Sequence, residues 1–303
     1  MTAHTLPRRA TQRALQIGMY RRKLIASAPP MCSSANCPAR YDRYLSPMPA
    51  TFTSAQPDTS SYSRFRNSDR SYGAVTKTFH WLTALLILSA IPLGIVANDI
   101  AHALKNPDIA TSEADLTRAV LLFSLHKTIG VAAFFVALAR IAWALSQPKP
   151  GLLNGDKPLE SLAAEIVHWL LYGSLVMVPL SGWIHHAATT GFAPIWWPFG
   201  QSLPFVPKDD AIAEIFGGLH MTLTWIMIVS LGLHIAGALK HHVIDKDVTL
   251  RRMLPGRLPT GLARALPSAR QPRHAPALVG AVLIWAITLT GGAALGFYGH
   301  EVD

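Results

Sequence analysis

Between Ile215 and Leu239 the chain runs without an acid, an arginine or a lysine, yet carries two histidines, His220 and His234. An apolar stretch of that length reads as a membrane-spanning helix. The two histidines are 14 residues apart. At about 100° per residue this brings them to nearly the same helix face, about 21 Å apart along an axis that crosses a hydrocarbon core of about 30 Å. One helix thus presents an imidazole near each side of the bilayer, both facing the same way. Polar groups at such depth are costly and usually functional.

Composition agrees with a membrane protein. Half of the residues are hydrophobic and 15% are charged, against about 25% charged in an ordinary soluble domain. Five apolar runs reach spanning length: Thr78–Val96, Val120–Leu145, Ile166–His186, Ile215–Leu239 and Ala277–Phe297. The second contains Lys127 and Arg140. The formal net charge is +10, and its distribution is uneven: residues 1–77 hold twelve Lys/Arg and Lys240–Arg273 eight, whereas the connections 97–119 and 187–214 hold only Lys105, Arg118 and Lys208. The positive-inside rule therefore predicts a cytoplasmic N-terminus, a cytoplasmic 240–276 loop and, after five spans, a periplasmic C-terminus. Topology and contact with membrane lipid account for the basic charge, so no nucleic-acid partner is inferred. The two cysteines, Cys32 and Cys37, have no second pair and make a weak metal signal.

The organisation follows. Residues 1–70 read as a disordered basic tail; their composition also suits a transit peptide, or a start at Met31 or Met48. A transmembrane domain covers 71–255, a Pro/Arg linker 256–276, a fifth helix 277–298 and a short outer tail 299–303. Phe79 and Trp81 suit the interfacial belt, and Pro92 and Gly94 are expected to bend or thin the first span. Ser146-Gln-Pro-Lys-Pro150 stops the second span. The Pro- and Trp-rich loop 190–208 is expected on the outer surface, partly covering a site. Gly292-x-x-x-Gly296 reads as a weak helix-pairing motif.

Depth sorts the histidines. Spans one and three run outward, two and four inward. His80 and His234 fall near the cytoplasmic side, His126 and His220 near the outside, so the natural pairs are His80 with His234 and His126 with His220. Each pair could clamp one haem iron, giving a bis-imidazole site that moves single electrons. Span three offers a rival, since His168 and His186 also share a face; interfacial or hydrogen-bonding roles suit them, and a proton relay remains open. His241 and His242 read as solvated. Arg140, 14 residues after His126, could neutralise a haem propionate or snorkel; Lys127 could attract an anion, contact a propionate or snorkel. Gly130 and Gly217/Gly218 could clear space for a flat macrocycle.

The motifs Thr78-Phe-His-Trp-Leu82, Leu125-His-Lys-Thr-Ile-Gly130, Leu171-Tyr172 with Pro179-Leu-Ser-Gly-Trp183, Gly218-Leu-His-Met221, Gly232-Leu-His-Ile-Ala-Gly-Ala-Leu-Lys-His-His242 and Arg252-Met-Leu-Pro255 together resemble bacterial cytochrome b561 over about 71–255. The resemblance implies an all-α membrane protein: a four-helix transmembrane di-haem bundle, here with an additional fifth helix, in the bacterial cytoplasmic membrane. It implies two haem b groups on His80, His126, His220 and His234, electron exchange with ubiquinone/ubiquinol, and an outer-face electron donor or acceptor. One described activity of the family is superoxide:ubiquinone oxidoreductase. Two other functions compete: the haem-bearing anchor subunit of a dehydrogenase or hydrogenase, and a histidine-lined metal or proton transporter.

Overall fold

A computed structural model describes residues 64–151, 153, 156–191, 193–256, 258 and 274–298. The expected tail up to residue 63, with Cys32 and Cys37, most of the 256–276 linker and residues 299–303 lie outside the described residues. Within them the chain is all-helical, with no strand: α1 Ala74–Lys105, α2 Glu113–Leu145, α3 Pro158–Ala188, α4 Asp210–Val243, α5 Thr249–Met253 and α6 His274–Ala294. All but α5 are long and apolar enough to cross a membrane.

The first four helices outrun their apolar cores, and polar side chains cap the starts of α2 and α4. Ser112 and Asp115 form a reciprocal capping box at the start of α2, which stabilises that end by about 1 kcal/mol. Asp209 accepts from the Ile212 amide at 2.9 Å to open α4, and Pro158 sits in the first turn of α3, where its missing N–H leaves no bond unmade.

The helices pack as two antiparallel hairpins, α1 along α2 and α3 along α4. The hairpins meet mainly along α2 and α3, while α4 makes little backbone approach to α1 or α2. Many buried positions are small: Ala97, Ala119, Ala133, Ala137, Ser124, Ser174 and Ser230. Small residues let membrane helices approach where no hydrophobic driving force draws them together. The end bearing the α1–α2 and α3–α4 connections is termed the hairpin end, the opposite one the base.

At the base, residues 64–70 depart from the expected tail. Asn67 bonds Gln147 through its amide (3.2 Å) and accepts from the Gly73 amide (2.9 Å) and the Thr76 hydroxyl (2.7 Å). This segment is folded because one Asn side chain satisfies several polar groups at the mouth of α1. The short α5 folds back beneath it. Lys77 donates to the carbonyls of Leu254 and Gly256 (2.9 and 2.8 Å), Trp81 Nε1 to that of Met253 (2.9 Å), and Arg252 to that of Gly151 (2.9 Å).

The fifth spanning helix, α6, lies against α3 and touches α4. A Cβ at Gly173 would fall 2.0 Å from the Trp285 ring, so only glycine admits that indole. Two expectations change here. The helix stops at Ala294, short of Phe297, because Gly296 turns the chain at φ +77°, a conformation other residues resist. Tyr298 then folds back: its hydroxyl bonds Thr222 Oγ1 at 3.2 Å, and its ring sits over Gly292. The Gly292/Gly296 spacing therefore serves a hook at the helix end, not a helix-pairing seam.

Candidate functional site

Near the hairpin end, α2 and α4 bring His126 and His220 together, their ring centres 6.1 Å apart and planes at 87°. His126 Nδ1 bonds the Ala90 carbonyl and His220 Nδ1 the Val178 carbonyl, each at 2.8 Å. A carbonyl only accepts, so Nδ1 carries the proton in both rings and Nε2 keeps its lone pair. That is the tautomer a metal ligand needs, fixed by its second hydrogen bond. Both rings rest on glycine: a Cβ at Gly94 would lie 2.7 Å from His126 Cε1, and one at Gly182 2.9 Å from His220 Cε1. Gly94, expected to thin the first helix, seats an imidazole.

Toward the base, α1 and α4 place His80 and His234 6.1 Å apart with planes at 56°. His80 Nδ1 is buried without a hydrogen-bond partner. His168 on α3 comes closer still, its ring 5.1 Å from that of His234, with Nδ1 on the Ala164 carbonyl of its own helix at 2.6 Å. Three imidazoles therefore gather at this level. Arg140 is half-buried with its guanidinium 5.4 Å from the centre of the Tyr172 ring.

A small, partly open cavity of about 50 Å³ adjoins the hairpin-end pair. His126 and His220 line it with Lys127, Gly130, Trp183 and His186, and no carboxylate does. A Cβ at Gly130 would meet nothing within 4 Å. Gly217 and Gly218, expected to clear the same space, do not: Gly217 packs on the His185 ring and Gly218 on Phe297 and Tyr298. The α3–α4 connection roofs the cavity. Ala193 and Ile195 are buried, and Lys127 Nζ donates to the Ala193 carbonyl at 2.8 Å. On the outward side Trp183 bonds the Gly200 carbonyl (2.9 Å) and lies 6.0 Å from Phe135, on which Phe199 stacks at 5.4 Å. His186, weighed from the sequence as a rival ligand with His168 and given an interfacial role, lines this cavity. The clue was its place on α3 opposite Lys127 on antiparallel α2, visible only once the hairpins are paired.

A second polar cluster lies at the base. Glu160, His241 and Asp245 come within metal-binding distance of one another, but Lys240 Nζ already stands 2.7 Å from both carboxylates. Its hydrogen bond holds the Asp245 carboxyl below the ordinary carboxylate range. His241, expected to be solvated, bonds Asp247 at 2.7 Å; the network ties α4 to α3 and to the turn after α4.

The chemistry of the upper donor set suits a haem: two imidazoles with bare Nε2 atoms, and a glycine-lined space beside them that a single methyl would begin to fill. Two metal–imidazole bonds of about 2 Å each, with the ring radii added, span about 6 Å, close to the separation in both pairs.

A family model for prokaryotic cytochrome b561 matches residues 71–256. The chain is 31% identical over 198 residues to cytochrome b561 homolog 2 of Escherichia coli (strain K12), covering 63% of this chain and 94% of that protein. It is 26% identical over 187 residues to the probable superoxide oxidase CybB of Yersinia pestis, covering 61% and 97%. It is 28% identical over 138 residues to cytochrome b561 homolog 1 of Escherichia coli (strain K12), covering 46% and 77%.

Proposed function

The chain belongs to the prokaryotic cytochrome b561 family, and from that membership we propose that it carries electrons through the membrane on two haem b groups and exchanges them with ubiquinone. His126 and His220 would hold one haem, His80 and His234 the other. When bound, each haem would supply a reversible one-electron centre, with the imidazoles of its pair as protein ligands. The observation that carries the reading is the repeated 6.1 Å approach of paired imidazoles across the two hairpins. One member of each pair stands on α4, so a single rigid helix sets the spacing of the two centres. Arg140, held over Tyr172 on α2 fourteen residues beyond His126, is assigned to the carboxylates of the second haem. The charge pattern of the sequence favours a cytoplasmic base and an outward hairpin end.

Haem per chain and the reduced-minus-oxidised spectrum of the purified full-length protein test this. The expected result is two low-spin haems in the wild type and one in His234→Ala or His220→Ala. Retention of both low-spin haems by His234→Ala would show the pairing to be wrong, and a colourless wild type made with ample haem would end the reading.

Superoxide as the outer donor is favoured by the CybB relative. Two superoxide ions would each lose one electron to become dioxygen, and one ubiquinone would take both electrons and two protons from water to become ubiquinol. Stopped-flow mixing of superoxide with haem-loaded protein and ubiquinone should yield one ubiquinol per two superoxide consumed. Ubiquinol formation no faster than without the protein would remove superoxide as donor while leaving the electron carrier in place.

A further inference from the structure

Lys127 is 6% exposed, and among the described residues its ammonium makes one hydrogen bond, to the Ala193 carbonyl. Among the described residues no carboxylate lies within ion-pair distance of it. A buried charge without a counter-ion is expensive, and structures normally pair it or neutralise it. Beside it His186 keeps Nδ1 buried with no hydrogen-bond partner. Both side chains line the cavity next to His126 and His220, and the other polar side chains of that lining are imidazoles and the Trp183 indole, whose N–H is already bonded to the Gly200 carbonyl. The space thus combines apolar walls, an ammonium lacking an anion and an imidazole nitrogen lacking a partner. A ligand that fits must bring a negative oxygen on an otherwise apolar body.

We propose that Lys127 and His186 are the seat of a carboxylate arm of the haem held by His126 and His220. The assignment rests on the haem reading above and deepens it. It also removes Lys127 from the role of steering superoxide. A small water-borne anion would supply the charge but would leave the walls formed by Gly130, Val131 and Trp183 without a use. A haem b supplies both, since its carboxylates hang from a flat apolar plate.

The test uses the full-length, haem-loaded protein in lipid nanodiscs, comparing wild type, Lys127→Met, Lys127→Arg and His186→Phe. Potentiometric titration resolves the two centres, resonance Raman reads the carboxylate-bending band, and transfer to apomyoglobin reads haem retention. Loss of a cation beside a carboxylate disfavours the added electron, so in Lys127→Met one midpoint should fall while the other stays. The same haem should leave roughly tenfold faster. Lys127→Arg should restore both properties, and His186→Phe should shift the same centre and its bending band. Wild-type midpoints, bending band and retention in both Lys127→Met and His186→Phe would overturn the assignment. Should Lys127→Met then also slow superoxide consumption, its ammonium serves a water-borne anion instead. A wild type that binds no haem would defeat the preceding reading itself, a distinguishable result.

Discussion

Gly130 allows a sharp test of what the space beside His126 is for. It lies one turn beyond that histidine on α2, and a Cβ built on it touches no protein atom within 4 Å. Judged on the polypeptide alone, Gly130→Ala should stabilise the helix by roughly 0.8–1 kcal/mol, the difference in helix propensity. If a haem edge occupies that space, the same methyl overpacks it, at about 1–3 kcal/mol. The propensity gain is present with and without haem and cancels in the binding equilibrium. Affinity for one haem should therefore fall by roughly 5- to 150-fold, while the other is untouched. The assay is haem per chain after a fixed exposure to excess apomyoglobin, with far-ultraviolet circular dichroism to show that the helices remain. Wild type should keep both haems longer than Gly130→Ala, and the variant should settle at one. Equal retention of both haems by the two proteins, with unchanged helicity, would refute the view that a macrocycle reaches Gly130.

Three further outcomes follow from other contacts. In Gly173→Ala the new methyl meets the Trp285 ring, so α6 should shift away from α3; an engineered protease site in the linker before α6 should then be cut faster, with the haem spectrum unchanged. Asp245→Asn should lose the bond to Lys240. That bond holds the Asp245 carboxyl below its ordinary range, so its contribution is present above pH about 4 and lost as pH falls through the lowered value. The difference in thermal midpoint between wild type and variant should accordingly be constant from pH 8 to 5 and shrink below pH 4. His168→Ala should keep two low-spin haems while His80→Ala keeps one; the reverse, read from haem content and low-temperature paramagnetic resonance, would make His168 the ligand at the base level.

The spanning helices were legible because hydrocarbon demands a run of apolar residues, and each run announced its core. Helix ends were less so: Asp209 and the Ser112 box carry α4 and α2 well past the hydrophobic stretch. Which histidines share a level could be read from depth alone, since alternating direction along the chain fixes it. What depth cannot tell is which residue of a level faces which. His168 shares the level of His80 and His234 and even lies nearer His234, a matter of helix rotation set by packing. The glycines divide for the same reason. Gly130 and Gly218 look alike in sequence, each close to a histidine, yet one borders a cavity and the other is filled by the returning Tyr298 hook, whose position depends on a turn at Gly296 far along the chain.

The way the two hairpins meet has a consequence for folding. The α3–α4 hairpin is reinforced by α6 and by the Lys240 network, whereas α4 makes little backbone approach to α1 or α2, its partners in the histidine pairs. Were the bundle complete as polypeptide, interior side chains would fill that seam to ordinary density. In part they do, since Ile87 and Ala137 share a buried apolar cluster with Leu223 and Ile226; on the haem reading proposed above, metal-bridged imidazoles from α1 and α2 would be a further tie between α4 and the first hairpin. Protein made under haem starvation should then lose order unevenly. Hydrogen exchange monitored by mass spectrometry is expected to show faster exchange in α1 and in the part of α2 around His126, with α3, α4 and α6 close to the haem-loaded protein. Haem-starved protein whose first hairpin exchanges as slowly as the loaded form would mean that the α2–α3 contact alone holds the bundle together, and the haems would then be passengers in it rather than part of its core.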